Sequence, residues 1–188
     1  MNPSPLLRTI VVVEHDPAWP AQFESLRSRI HPAVSDIAAA IEHVGSTSVP
    51  GLAAKPIIDM VIVVPEAARI PEAIDRLAPL GYGHRGDLGV EGREAFSRPD
   101  DLPPHHLYLC PHGNLSLRNH LTLRDHLRAH EADARAYGAL KKRLAREFTH
   151  DIDSYMDGKT DFIVGILRDH GFTPEQIEAI EKVNRKPD

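Results

Sequence analysis

The sequence predicts an α+β protein in which four or five strands with flanking helices are followed by a helical carboxyl-terminal half. Three observations carry this. The run Ile57–Val64 is apolar, rich in β-branched residues and bounded by Pro56 and Pro65, the pattern of a buried strand. From Ser116 onward apolar residues recur at helical rather than strand spacing. Near the end, Thr173-Pro174-Glu175-Gln176 spells a capping box with proline at the first helical position. Strands first and helices afterwards is the order of an α+β fold, with the helical part packing across the sheet.

The 188 residues, 41% of them hydrophobic, suffice for one domain with a sizeable core, taken here as 1–188 with a sheet-containing part to 114 and a helical part over 115–188. Twenty-seven acids against 22 Lys plus Arg give a formal charge of -5, which argues against a surface devoted to nucleic acid. The single cysteine, Cys110, permits no internal disulfide. The sequence reads without a secretory signal or an apolar run of membrane-spanning length, so a cytoplasmic location without membrane partners is expected. The twelve histidines show no HExxH or Cys/His spacing, so they give no support to a structural zinc site. Oligomeric state has no signature in the chain.

The elements follow in order. Ile10–Val13 reads as a first strand. Asp16 as N-cap and Pro17 at the first helical position then open a helix whose stripe is Trp19, Phe23, Leu26 and Ile30. A strand over Ala38–Val44 leads into Gly45-Ser46-Thr47, and the Asp59 strand follows after a connection too short for a long helix, which makes the two strands neighbours. Pro71 opens a helix with Ile74, Leu77 and Leu80 inward, and Gly81 ends it. A strand begins near Tyr82, Glu94-Ala95-Phe96 forms a short strand, and Pro99-Asp100-Asp101 turns the chain. His105–Cys110 is a strand with Leu107 and Leu109 on one face and His106 and Tyr108 on the other. Helices follow, around Leu117, Leu121 and Leu127, along Tyr137, Leu140, Leu144 and Phe148, through Phe162, Ile163, Ile166 and Leu167, and after Thr173.

Asp59 is the only charge inside its apolar run, and an ionised carboxylate buried without a partner costs several kcal/mol. The chain must therefore supply a cation, a metal or hydrogen-bond donors. Upstream, the amides of a Gly45-Ser46 turn and the serine hydroxyl are suited to a phosphate, with Thr47 beside them and Lys55 placed to touch phosphate or neutralise Asp59. Phosphoryl or nucleotidyl transfer asks mainly for positioning and for charge neutralisation by a divalent metal, normally held by two or more carboxylates. Val61 occupies the next same-face position after Asp59, so a second ligand must come from Glu42, Glu94 or His106. Arg124 and Arg128, four apart on one helix face, are suited to phosphate or carboxylate. Lys141 reads as the wet side of its helix and receives no role, while Tyr155 and Lys159 flank a glycine-containing loop and either cover the cleft or cap a helix end.

The stretch from His43 through Gly45-Ser46-Thr47-Ser48-Val49-Pro50-Gly51 and Lys55-Pro56-Ile57-Ile58 to Asp59 resembles the signature of the GrpB family of the nucleotidyltransferase superfamily. The similarity extends to Pro17-Ala18-Trp19, Leu80-Gly81-Tyr82, His105-His106-Leu107-Tyr108, Leu123–Arg128, Tyr155 and Lys159. The resemblance implies a nucleotidyltransferase-like mixed β-sheet, with Gly45-Ser46 at the phosphates of a nucleoside triphosphate and Asp59 in the first metal-binding carboxylate position. Where the wider superfamily shows a second acid, this chain has Val61.

These readings converge on a metal-dependent nucleotidyltransferase-like enzyme. Asp59 would be catalytic, Gly45, Ser46, Thr47, Lys55 and Arg124 would bind ligand, and Asp59 and His106 would hold Mg or Mn. The expected partner is a small nucleotide or phosphorylated ligand. Two rivals stand beside it: a binding module that keeps the phosphate cradle without transfer chemistry, motivated by Val61, and a metal-dependent hydrolase built on His43, Asp59 and His106.

Overall fold

The structure, a computed structural model, describes residues 9–185; the ends of the 1–188 span fall outside the described residues. The strands are β1 (Ala40–Val44), β2 (Ile58–Val64), β3 (Gly83–His84), β4 (Glu94–Ser97) and β5 (His105–Pro111). They form one mixed sheet in the order β1-β2-β5-β4-β3, in which only the β2–β5 pair is parallel. The helices are α1 (Trp19–Val34), α2 (Ile70–Leu77), α3 (Leu115–Ala129), α4 (Glu131–Glu147), α5 (Ile152–Asp169) and α6 (Pro174–Asn184).

β2 organises the sheet because both its faces are covered. Alternation sends Ile58, Met60, Ile62 and Val64 into the main core, where they meet Trp19, Phe23, Leu26, Ile30 and Val34 of α1 and Ala73 and Leu77 of α2. Asp59, Val61 and Val63 point to the other face, where Val61 and Val63 pack with Val44, Cys110 and Leu117 of α3. A strand buried on two faces needs a continuous apolar run, and the one polar interruption in β2 is therefore placed by the pleat on the α3 side. Leu107 and Leu109 of β5 join the main core, opposite His106 and Tyr108, as their alternation requires.

Several boundaries differ from the sequence expectation. Residues 10–13 do not enter the sheet. Val13 exchanges two hydrogen bonds with Ala54, and the Ile10 amide donates to the Thr149 carbonyl at 2.8 Å. Ile10 packs with Leu144, Ala145 and Tyr155 while Val11 and Val13 stay exposed, so this apolar run lines the helical part on one side only. Helix α1 begins at Trp19 with Pro20 in its first turn, and Asp16 instead accepts from the Ala18 amide in the turn before it. Tyr155 and Lys159 do not flank a loop: Gly158 lies inside α5, where an added Cβ would come within 2.6 Å of Leu144 Cδ2. Glycine there lets α5 press against α4. Gly81, at φ +87°, ends the turn after α2 in the left-handed region, and the Thr173 capping box forms with both its hydrogen bonds.

Among the described residues no helix is long and apolar enough to cross a membrane. Ile62, fully buried on the main-core face of β2, tests that packing. Ile62→Ala is expected to cost about 2–5 kcal/mol in urea unfolding with an unchanged denaturant slope.

Candidate functional site

Asp59 pairs with Val44 of β1 on one side and with His106 of β5 on the other, so the register alone brings acid and imidazole onto one face. His106 Nδ1 donates to Asp59 Oδ1 at 2.8 Å. Both side chains reach the surface, at 26% exposure for the acid and 48% for the histidine. The second carboxylate oxygen faces the bend that follows β1. A Cβ added to Gly45 would lie 2.3 Å from Asp59 Oδ2, and Gly45 holds φ +70°, so both the backbone conformation and the acid demand glycine here. The bend continues as a single 3-10 turn over Ser46–Ser48, fastened by Ser48 Oγ donating to the Gly45 carbonyl at 2.6 Å.

Burial alone would raise the Asp59 carboxyl. The hydrogen bond from His106 and the charges of His106, His120 and Lys55 outweigh it and hold the group below the usual carboxylate range. Asp59 is thus a carboxylate at neutral pH.

Cations gather around it. Lys141 of α4, only 2% exposed, donates from Nζ to Ser46 Oγ at 2.7 Å and to the Ala53 carbonyl at 2.5 Å. Lys159 of α5 is 9% exposed, and its Nζ lies 4.7 Å from the Tyr155 ring centre, with Lys55 Nζ over the same ring at 5.7 Å. Burial lowers Lys141 to about 6 and Lys159 to about 7, each pushed further by a neighbouring lysine and partly restored by Asp59. Burial likewise lowers Lys55, against the opposing pull of Asp59. Three lysines and one carboxylate therefore act on one another around a single bend.

The sequence passed over Lys141 and left Lys159 undecided. The signal was present in the spacing: Lys141 stands four after Tyr137 and three before Leu144, and Lys159 four after Tyr155 and four before Ile163, each on the buried stripe of its helix. A lysine on an apolar stripe needs a reason to be there, and its surroundings supply one. Close packing carries both inward, α4 against Leu52 and Ala53 through Gly138, α5 against Leu144 through Gly158.

Other sequence candidates serve the frame. The Thr47 hydroxyl, buried, donates to the Ile57 carbonyl at 3.4 Å and accepts from His43 Nε2 at 3.0 Å, which turns it away from any ligand. Arg124 is tied by Nη1 to Glu42 at 2.7 Å and to the His43 carbonyl at 3.1 Å, and by Nε to Asp125 at 2.7 Å; it clamps α3 onto β1. Arg128 donates twice to the Ser48 carbonyl, at 3.0 and 2.8 Å, fixing the end of the bend. Of the three residues weighed as partners of Asp59, His106 is the one that meets it. Glu42, opposite Val61, is held by Arg124, and Glu94 lies on the other face of the sheet beside His84. His43 pairs with Met60, so it too faces the main core, stacked on Phe23 with ring centres 4.6 Å apart and pushed down to about 4 chiefly by burial. The hydrolase triad of His43, Asp59 and His106 is thereby split across two faces of the sheet.

On the far side of Asp59, Tyr108 is stacked with His120 of α3 at 6.1 Å and carries the Arg93 guanidinium 4.4 Å above its ring. Among the described residues no group of three or more His, Cys, Asp or Glu side chains is placed to hold a metal ion. Oδ1 is engaged by His106 and Oδ2 lies against Gly45, so one carboxylate is the anionic donor set here. That donor set suits one divalent ion completed by ligand phosphates and water, as Mg2+ accepts, and does not suit a two-metal centre.

A model of the family described as GrpB protein matches residues 9–169. The chain belongs to the GrpB family. Among GrpB relatives, the UPF0157 protein YqkA of Bacillus subtilis (strain 168) is 34% identical over 156 residues, 83% of this chain and 46% of that protein, so the chain spans about half of that relative's length. The crystal structure of the conserved protein GrpB from Enterococcus faecalis matches with a TM-score of 0.75 at 34% identity, covering 92% of this chain and 98% of that one. A crystal structure of the Cid1 poly(U) polymerase with MgGTP bound matches with a TM-score of 0.51 at 13% identity, over 72% of this chain and 44% of that chain. At that identity the likeness shows the nucleotidyltransferase-like fold alone.

Two outcomes are expected for this GrpB chain. Gly45→Ala strains a left-handed position and displaces the Asp59 carboxylate, so it should cost about 1–3 kcal/mol and shift the His106 Nδ1 resonance in 15N NMR. The buried lysines titrate at about 6 and about 7 when folded against 10.5 when unfolded, so the unfolded chain binds more protons between those limits and stability rises with pH there. Unfolding free energies at pH 7 and 9 should show that rise, and Lys141→Met should diminish it.

Proposed function

We propose that this GrpB protein binds a nucleotide, or another ligand carrying a phosphate chain, together with a divalent ion, and transfers the nucleotidyl group to an acceptor. The observation that carries the reading is the direct apposition of the Asp59 carboxylate and the Gly45-Ser46 bend, with Lys141 bonded to the serine hydroxyl. The nucleotidyltransferase-like fold supports it. Mg-bound GTP in the Cid1 polymerase supports it only as an analogy between folds.

In this reading Asp59 would hold the ion, and His106 fixes the carboxylate's rotation through Oδ1. Ser46 and Lys55 face the phosphates, while Thr47 and Arg124 keep the bend and α3 in place. A bound divalent ion would neutralise charge on the α-phosphate and orient it. The oxygen of an acceptor hydroxyl attacks the α-phosphorus and gives up its proton to solvent, the bond from that phosphorus to the α–β bridging oxygen breaks, and pyrophosphate leaves toward the lysines. Positioning and charge are all that the residues must provide.

A second reading, a ligand-binding module without transfer chemistry, is favoured by Val61 and by the donor set of one carboxylate. Calorimetric titration with ATP, GTP, CTP and UTP in Mg2+ or Mn2+ is expected to show binding of at least one, and heat from none of them with folded protein would end both readings. Asp59→Asn separates the two. The enzyme reading expects at least 100-fold slower pyrophosphate release with ligand still bound, and the module reading expects no turnover in either protein.

A further inference from the structure

We infer that Lys55, Lys141 and Lys159 together form a polyphosphate-tail site that works without a divalent ion, so that ligands are selected first by a chain of linked phosphates. The inference rests on the proposed nucleotide reading for its biological ligand, but its geometry stands by itself.

The first ground is an unmet need. Among the described residues neither Lys159 nor Lys55 makes a hydrogen bond or ion pair; their ammonium groups have the Tyr155 ring, the distant field of Asp59 and repulsion from other lysines. Lys159 is nine-tenths buried, and a buried ammonium without an anion is costly. Burial with mutual repulsion is also what holds Lys141 and Lys159 so low. An anion entering here removes the repulsion and satisfies donors already fixed in place.

The second ground is charge count. Three ammonium groups against the single Asp59 carboxylate leave two positive charges in excess when all are protonated, more than one monoanionic phosphate balances. The third is placement. Lys141 is held at Ser46 while Lys55 and Lys159 lie over the Tyr155 ring, two separate attachment points that suit a chain of two or three phosphates better than a single carboxylate. The fourth is the metal chemistry. One carboxylate with an oxygen already engaged is a poor anchor for several ions, whereas the lysines neutralise the tail directly.

The test is calorimetry with inorganic tripolyphosphate, and in parallel with ATP, each in EDTA and in Mg2+. Tripolyphosphate should bind in EDTA with an affinity within about threefold of that of a metal-replete sample, with net proton uptake near pH 7.5 when buffers of different ionisation heat are compared. Lys159→Met and, as a more exposed variant that spares the core, Lys55→Met should each weaken it at least tenfold, while melting curves confirm folding. Binding that appears only with Mg2+, or that both variants leave unchanged, overturns the inference and leaves the nucleotide reading intact. Binding of ATP without any binding of tripolyphosphate also overturns it. Silence in every arm removes both.

Discussion

The arrangement turns on a carboxylate held in a place where carboxylates are normally absent. Asp59 interrupts a strand whose other residues are buried on both faces, and it stays charged because a histidine from the parallel neighbour donates to it and His120 of α3 and Lys55 of the preceding loop add favourable charge. The glycine before it in space is the geometric counterpart of that charge: the oxygen sits where any side chain at position 45 would begin. Sheet register, bend conformation and helix docking are thus coupled through one group. A slip of β2 by one residue would turn the acid into the main core beside Trp19 and Phe23, so register and ionisation defend each other.

The helical half is part of the site. α3 is clamped to β1 by Arg124 and to the bend by Arg128, α4 delivers Lys141, and α5 delivers Lys159 through a glycine that shortens its distance to Leu144. The sheet and its bend offer the acid and the serine hydroxyl; the loop before β2 offers Lys55, and the helices offer Lys141 and Lys159. This division accounts for the alternating burial and polarity along α4 and α5, whose stripes are apolar except where they pass the bend.

Much of this was legible in the sequence, and the parts that were not share a cause. Strands announced by alternation or by an apolar run with proline borders were found, as were the α2 stop at Gly81 and the Thr173 cap, because each depends on neighbours in sequence. The pairing of Asp59 with His106 needed a parallel register between strands nearly fifty residues apart, which local patterns do not encode. Residues 10–13 misled because an apolar run packed on helices has the composition of a strand. Lys141 was passed over and Lys159 left undecided because charge on a helix is ordinarily solvated, and only tertiary packing distinguishes Lys141 from its neighbour Lys142. Thr47 and Arg124 had the right chemistry in the right region, but the Thr47 hydroxyl and the Nε and Nη1 of Arg124 are bonded within the scaffold.

Lys159 follows Asp59 by one hundred residues, and the cations of α4 and α5 reach the bend only after three helices have docked. During synthesis the acid, its glycine and Lys55 emerge long before Lys141 and Lys159. A nascent or partly assembled chain therefore holds the acid and its bend before the lysines of α4 and α5 have joined them, and the burial that lowers those two lysines marks the completion of tertiary assembly. Completion of the cluster around Asp59 is in that sense a checkpoint reported by the docking of α4 and α5.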